Sequence, residues 1–264
     1  MIMPLRVLIT EFSNPYLNLA FEEALARVRG KDIINDTLRI WTNGSSIVLG
    51  RFRKVDEDVN WQNVERFGIP IIRRFTGGGT VYHDSGCLNY SLVIRRDVTY
   101  PLDYLYGVLL RGTLFALKKL GLRSYLKNTN DVVVNERKVS GTAASIRWGV
   151  LFLHGSVLVN SDLLRLYSFL KIPKWHTFDP VKYRVANLST FVKGIKMEDV
   201  VNALIWGYSR ALLENPTFDD PLKEELKIAK VLYEEKYSKK EWNLTYPPQL
   251  NERVINEKIE KMWH

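Results

Sequence analysis

RRFTGGGTVYHD, residues 73–84, decides how the rest of this sequence is read. An apolar run enters it through Arg73 and Arg74, and a second apolar stretch leaves it, which predicts strand, tight loop, strand. Gly77, Gly78 and Gly79 carry no Cβ and tolerate positive φ, so the loop's backbone amides can approach an anion closely. Phosphate suits such amides. Glycines also build plain hairpins, so the loop taken alone leaves a purely structural reading open.

Two further stretches keep it company. KVSGTAA, residues 138–144, comes after the turn Asn135-Glu136 and places Lys138 beside small residues, where its chain can lie against a ligand and its ammonium can neutralise a carboxylate or phosphate. A solvated hairpin lysine is the alternative. HGSVLV, residues 154–159, reads as a strand that opens on a histidine.

With 264 residues, 46% of them hydrophobic, the chain can bury one large core, and 25% charged residues do not suggest disorder. Its single cysteine, Cys87, excludes an internal disulfide. With no recognisable secretory leader and no bilayer-length apolar run, a cytoplasmic protein that neither spans nor binds a membrane is expected. The net charge of +9 is spread along the chain rather than gathered into a basic block, so nucleic acid is not the expected partner. Such charge also steers an acidic protein or an anionic nucleotide toward the surface. His83, His154, His176 and His264 lack ligand spacing, so no protein metal site is expected.

Asn14-Pro15 predicts a capped first helix ending at Gly30, and Asn43-Gly44 predicts a hairpin between strands at residues 38–41 and 47–49. Leucine spacing predicts one long helix over residues 101–120, and helical patterns recur over 60–67, 161–170, 197–213 and 223–237. Residues 88–94, 132–134, 138–142 and 150–159 read as strands. Helices interspersed with hairpin-linked strands point to the α+β class, a mixed and mostly antiparallel sheet flanked by helices. Residues 171–188, with prolines, basic and aromatic residues, form a long loop that is either functional or a plain connector.

RRFTGGGTVYHDSGCLNYS, NDVVVNERKVSGTAAS, HGSVLVNSDL and YRVANLS, together with PYLNLAFEEAL near the N-terminus, resemble the lipoate-protein ligase A family of the biotin/lipoate ligase superfamily. The resemblance covers nearly the whole chain and implies the fold of that superfamily's catalytic domain. It also implies a two-step reaction, in which ATP converts lipoate, or octanoate, to the acyl-AMP and a lysine of an acceptor domain then takes the acyl group. The acceptors it implies are the lipoyl domains of 2-oxoacid dehydrogenase E2 and the glycine cleavage H protein.

By the same resemblance Lys138 is catalytic and touches both the acyl carbonyl and the phosphate. Arg74 and the stretch Gly77, Gly78, Gly79, Thr80, Val81, Tyr82 and His83 contact nucleotide, with Asn89, Asp131, His154 and Gly155 also at the ligand. Arg73 is either a ligand contact or structural, and His83 and His154 are either ligand contacts or braces. Asp131 helps hold the Mg²⁺ that arrives with ATP, and the loop at residues 171–188 closes over the adenylate.

Related acyltransferases use a cysteine thioester, but Cys87 does not stand at their nucleophile's position and reads as a buried free thiol. Residues 1–243 are expected to form the catalytic domain and 244–264 a tail with a short charged helix, without the family's accessory domain. A separate small protein is expected to supply that domain. A transferase fed by an acyl carrier and a non-catalytic lipoate-binding subunit are the alternatives.

Overall fold

The computed structural model describes residues 4–95, 98–171 and 185–263. The chain opens with β1 (Leu5–Ile9), α1 (Pro15–Gly30), β2 (Thr37–Thr42) and β3 (Ser46–Leu49). Then come α2 (Val55–Asp58), α3 (Trp61–Arg66), β4 (Ile71–Arg73), β5 (Val81–His83) and β6 (Cys87–Ile94). A helical stretch with α4 (Pro101–Tyr104) and α5 (Arg111–Lys119) leads to β7 (Ser124–Lys127), β8 (Asp131–Val134), β9 (Arg137–Arg147) and β10 (Val150–Leu158). The remainder is α6 (Leu163–Phe169), α7 (Met197–Leu212), β11 (Pro216–Phe218), α8 (Lys223–Leu232), α9 (Lys240–Asn243) and α10 (Glu252–Glu260).

Eight strands form one sheet in the order β11-β1-β2-β6-β10-β9-β8-β7, parallel at β11-β1-β2 and antiparallel beyond. A small sheet, β4-β3-β5, leans over one face of it. The predicted α+β class, mixed and mostly antiparallel, is what forms.

Alternation along the strands sorts side chains between the two faces. Leu38 and Ile40 of β2, Leu88 and Leu92 of β6, and Leu151 and Leu153 of β10 pack toward α5 and α7. Trp41, Val93 and Phe152 face the opposite way, into a core shared with α1, α8 and α10. There Ile255 and Ile259 of α10 are buried beside Leu25 and Val28 of α1. A third, smaller core lies between the small sheet, α3 and α6.

The Asn14 side chain accepts from the amides of Tyr16 and Leu17, and Pro15 begins α1, as the cap signal predicts. Asn135 and Glu136 both adopt positive φ, 47° and 61°, and turn β8 into β9.

Two expectations are corrected. Asn43-Gly44 makes no hairpin: β2 pairs with β1 and β6, whereas β3 pairs with β4 and β5. Asn43 is buried, donating to Ser46 Oγ at 3.0 Å and accepting from Asn18 of α1 at 3.1 Å, so tertiary contacts take the side chain that a turn would have used locally. The long helix over 101–120 is broken by a π turn at Leu105–Leu109. The extra residue rotates the downstream helix, so that Leu105, Leu109, Leu110, Ala116 and Leu117 all reach the core. The helix expected over 223–237 forms, with its last turn, Tyr233–Tyr237, in π geometry.

Candidate functional site

Polar residues in the middle of central strands mark the site. On the face toward α1, register aligns Trp41 of β2, Asn89 of β6, Ser156 of β10, Gly141 of β9 and Asp131 of β8 in one row across the sheet. The next row holds Arg39, Ser91, His154 and Ala143. An antiparallel sheet packed against a helix would normally carry apolar residues here. Instead the small sheet and the glycine loop stand off the large sheet and leave a cleft of about 120 Å³. At one end it is lined by Leu19, Trp41 and Val48, and at the other by Lys138, Gly141 and Thr142. A second cavity, about 460 Å³, abuts it across a wall of Asn130, Thr142 and Ala143.

The predicted strands on either side of the glycine loop form as β4 and β5, both bonded to β3 between them. Arg74 shapes the loop: its Nη2 donates to the carbonyls of Gly77 at 2.6 Å and Gly79 at 2.7 Å, and its Nε donates to Thr76 Oγ1 at 3.0 Å. Gly78 has φ +86°, and a Cβ there would stand 2.9 Å from Arg74 Nη2, so this position requires glycine on two counts. Burial lowers the Arg74 guanidinium to about 10, which leaves it charged at neutral pH.

Arg73, one residue earlier, points away from the cleft. Fully buried, it donates to the carbonyls of Gly50, Arg51, Arg53, Trp242, Asn243 and Thr245. Of its two expected roles the structural one is observed.

At the far side of the cleft Lys138 Nζ lies 2.6 Å from Asp131 Oδ1, with the lysine side chain 40% exposed and therefore reachable by a ligand. Gly141 is the reason it can lie there: a Cβ at Gly141 would meet Lys138 Cε and Nζ at 3.0 Å. The backbone of Lys138 is itself clamped, accepting from Ala186 N at 2.8 Å and bridging Val185. Most of the loop expected to close over a ligand, residues 172–184, lies outside the described residues.

Glu22, which sequence reasoning missed, anchors the cleft's inner wall. It sits on α1, 1% exposed, and accepts from Ser91 Oγ and from His154 Nδ1 at 3.0 Å, while His154 Nε2 bonds Thr76 Oγ1 at 2.7 Å. A continuous chain of hydrogen bonds therefore joins α1 through His154 and Thr76 to Arg74 and the glycine loop. Burial opposes the Glu22 charge, but His154, Ser91 and Arg39 outweigh it and hold the carboxyl below its ordinary value. The signal was present in the sequence: Glu22-Glu23 interrupts the apolar stripe of the first helix, and a carboxylate there must be partnered.

His83 is buried and lines the cleft, its ring edge-on to Trp41 at 6.0 Å. Burial drives its imidazole down to about 3, with Arg74 and His154 adding to that, so it offers hydrogen bonds rather than charge at neutral pH. Among the described residues, His83 Nδ1 and Asn89 Nδ2 have no hydrogen-bond partner. Gly79, Val81 and Thr80 reach the cleft, although the Thr80 hydroxyl is taken by Asp58. Gly77 and Gly78 line the second cavity, and the Tyr82 ring turns away to pack on Phe169 at 5.3 Å. Gly155 lines the cleft through its backbone, and its missing side chain makes room on the other face for Tyr90 OH, 2.4 Å from where a Cβ would stand.

Cys87 is fully buried, and burial together with Asp84 pushes its thiol up to about 12, which makes it inert. Among the described residues no group of three or more His, Cys, Asp or Glu side chains can hold a metal ion, and no helix is long and apolar enough to cross a membrane. The arrangement can bind an apolar acyl chain at its inner end and carry out anion chemistry at the lysine end.

Comparison with known proteins agrees. Residues 14–208 match the family model of the lipoyl protein ligase A/B catalytic domain. The chain is 32% identical over 257 residues to lipoate-protein ligase A subunit 1 of Thermoplasma acidophilum, covering 90% of this chain and 96% of that protein. A solved structure of a bi-partite lipoate protein ligase and its E2 lipoyl domain from that organism superimposes with TM-score 0.82, at 32% identity and over 91% of this chain and 96% of that one. A lipoate-protein ligase A bound with ATP also gives TM-score 0.82, at 31% identity over 91% of this chain and 98% of that one. With the glycine loop, the lysine and the cleft all on one sheet face, this chain belongs to the lipoyl protein ligase A/B catalytic-domain family.

Proposed function

We propose that this chain is the catalytic subunit of an ATP-dependent lipoate-protein ligase, and that residues 1–243 form its catalytic domain with 244–264 as a tail docked through α10. The observation that carries this reading is the single cleft with a lysine–carboxylate pair at one end and Leu19, Trp41 and Val48 at the other. Lipoate enters with its ring toward Trp41 and its carboxylate toward Lys138. A carboxylate oxygen attacks the α-phosphorus of ATP, the bond to the β-phosphate oxygen breaks, and pyrophosphate leaves. The Lys138 ammonium neutralises charge that builds on the phosphoryl and carbonyl oxygens. Loop amides at Gly79 and Thr80 face the phosphate, ordered by Arg74 from behind. In the second step the ε-amine of an acceptor lysine attacks the acyl carbonyl, AMP leaves with the bonding pair, and an amide forms.

Mg²⁺ would come with the nucleotide, and Asp131, the carboxylate paired with Lys138, would help hold it through phosphate. The Thermoplasma relative is bi-partite and has an E2 lipoyl domain as its partner. By the same logic this chain works in the cytoplasm with a separate accessory-domain protein and modifies lipoyl domains, the H protein among them. Net charge of +9 favours encounter with acidic acceptors.

The test is the intact mass of an acceptor lipoyl domain after incubation with this chain, ATP, Mg²⁺ and lipoic acid, with and without an accessory subunit. The expected result is a lipoyl mass increase that needs ATP and the accessory protein, and one that needs neither when lipoyl-AMP is supplied. Transfer from an acyl carrier without ATP would identify a transferase instead. The buried, inert Cys87 already removes the thioester route through that residue.

A further inference from the structure

Resting on that reading, we infer that Asn89 is the residue by which the cleft tells a lipoyl chain from an octanoyl chain. The row Asp131, Gly141, Ser156, Asn89, Trp41 gives the cleft a ruler, because neighbouring strands lie about 4.8 Å apart. Lys138 Nζ lies over Gly141, 3.0 Å from where a Cβ would stand, so the reacting carboxylate belongs at that step of the row. Asn89 is two strands further in, about 10 Å away. The extended arm of lipoate, built of single bonds of about 1.5 Å, spans most of that distance and leaves its dithiolane ring at Asn89, before the indole of Trp41.

Asn89 is 2% exposed, lines the cleft, and its Nδ2 has no hydrogen-bond partner among the described residues. A buried, unpaired amide donor in an acyl channel is costly for binding octanoate, whose terminal methyl end cannot accept a hydrogen bond. Dithiolane sulfur is a weak hydrogen-bond acceptor, which a methyl terminus is not. The Asn89 carbonyl oxygen faces Cys87 Sγ at 4.0 Å, so the amide nitrogen is the end left without a partner among the described residues. His83 Nδ1, also unpaired and lining the cleft, supplies a second polar contact. Trp41 and Val48 supply the apolar walls that both acids use alike.

The experiment needs no catalytic turnover and begins with the unaltered chain. Affinities for lipoate, for octanoate and for 5-cyclopentylpentanoate, which has the ring of lipoate with carbon in place of both sulfurs, are measured by calorimetry. Lipoate is expected to bind about two- to fivefold more tightly than the carbon analogue, the lower range for one hydrogen bond to a buried donor because sulfur accepts weakly. In Asn89→Leu that ratio is expected to fall to near one. Equal affinities for lipoate and the carbon analogue in the unaltered chain would overturn the assignment while leaving the ligase reading intact. A ratio preserved in Asn89→Leu would also overturn it. Binding of none of the three acids by the unaltered chain would overturn both.

Discussion

Arg73→Lys is expected to unlatch the C-terminal segment from the sheet that carries the glycine loop. Arg73 spreads its donors over six carbonyls in two chain segments, at distances from 2.6 Å to Arg53 out to 3.3 Å to Asn243. A lysine keeps the charge but offers three donors from one nitrogen, so at least three of the six carbonyls lose their partner. Counting roughly 1–1.5 kcal/mol for each lost bond gives a destabilisation of about 3–5 kcal/mol, a large part of a stability of about 5–15 kcal/mol. Trp242 donates to the Arg73 carbonyl at 2.7 Å and lies fully buried, so among the described residues it is the one of the chain's seven tryptophans that sits at the latch. The assay is equilibrium urea unfolding followed by tryptophan emission. Activity is expected to fall as well, because Arg73 holds Gly50, and Gly50 backs onto the Gly78 carbonyl with room for no Cβ. An Arg73→Lys chain within about 1 kcal/mol of the parent would refute the reasoning, since the six contacts would then carry no net stability.

The remaining predictions concern chemistry and pH. Lys138→Ala is expected to lower lipoyl-AMP formation by about 10³-fold with stability nearly unchanged, since the side chain is partly exposed; pyrophosphate release measures it, and a loss under tenfold would count against its role. Cys87→Ser is expected to keep activity, and the native thiol should resist alkylation until the chain unfolds, as mass spectrometry would show. Stability is expected to fall below pH 6.5. His83 binds a proton at 6.5 when unfolded but only near 3 when folded, so about 1.4 kcal/mol is lost per pH unit through that window. Glu23, held near 2 against 4.5 because Lys236 and Arg27 outweigh its burial, adds a further loss as pH falls from 4.5 toward 2. Urea midpoints at pH 7 and 5 check this, and His83→Asn should flatten the difference between them.

Features with a local cause were legible in the sequence. The Asn14 cap, the Asn135-Glu136 turn and the lysine set among small residues each depend on contacts within a few positions, and each forms where its signal stands. Lys138 owes its place to Gly141, three residues on, so sequence alone could mark the pair.

Tertiary structure alone decided which strands pair, and therefore which residues meet. Asn43-Gly44 carries a hairpin signal, yet Asn18, 25 residues earlier, claims the asparagine and sends β3 into another sheet. Two adjacent arginines look alike in sequence, but strand alternation turns Arg73 to the C-terminal segment and Arg74 to the glycine loop. Glu22 meets His154 across 132 residues, and Asn89 falls in line with Lys138's partner only through the register of four strands. Short-range propensity fixes φ and ψ one turn at a time, whereas the site depends on pairings whose loop-closure cost is repaid only when the whole core assembles.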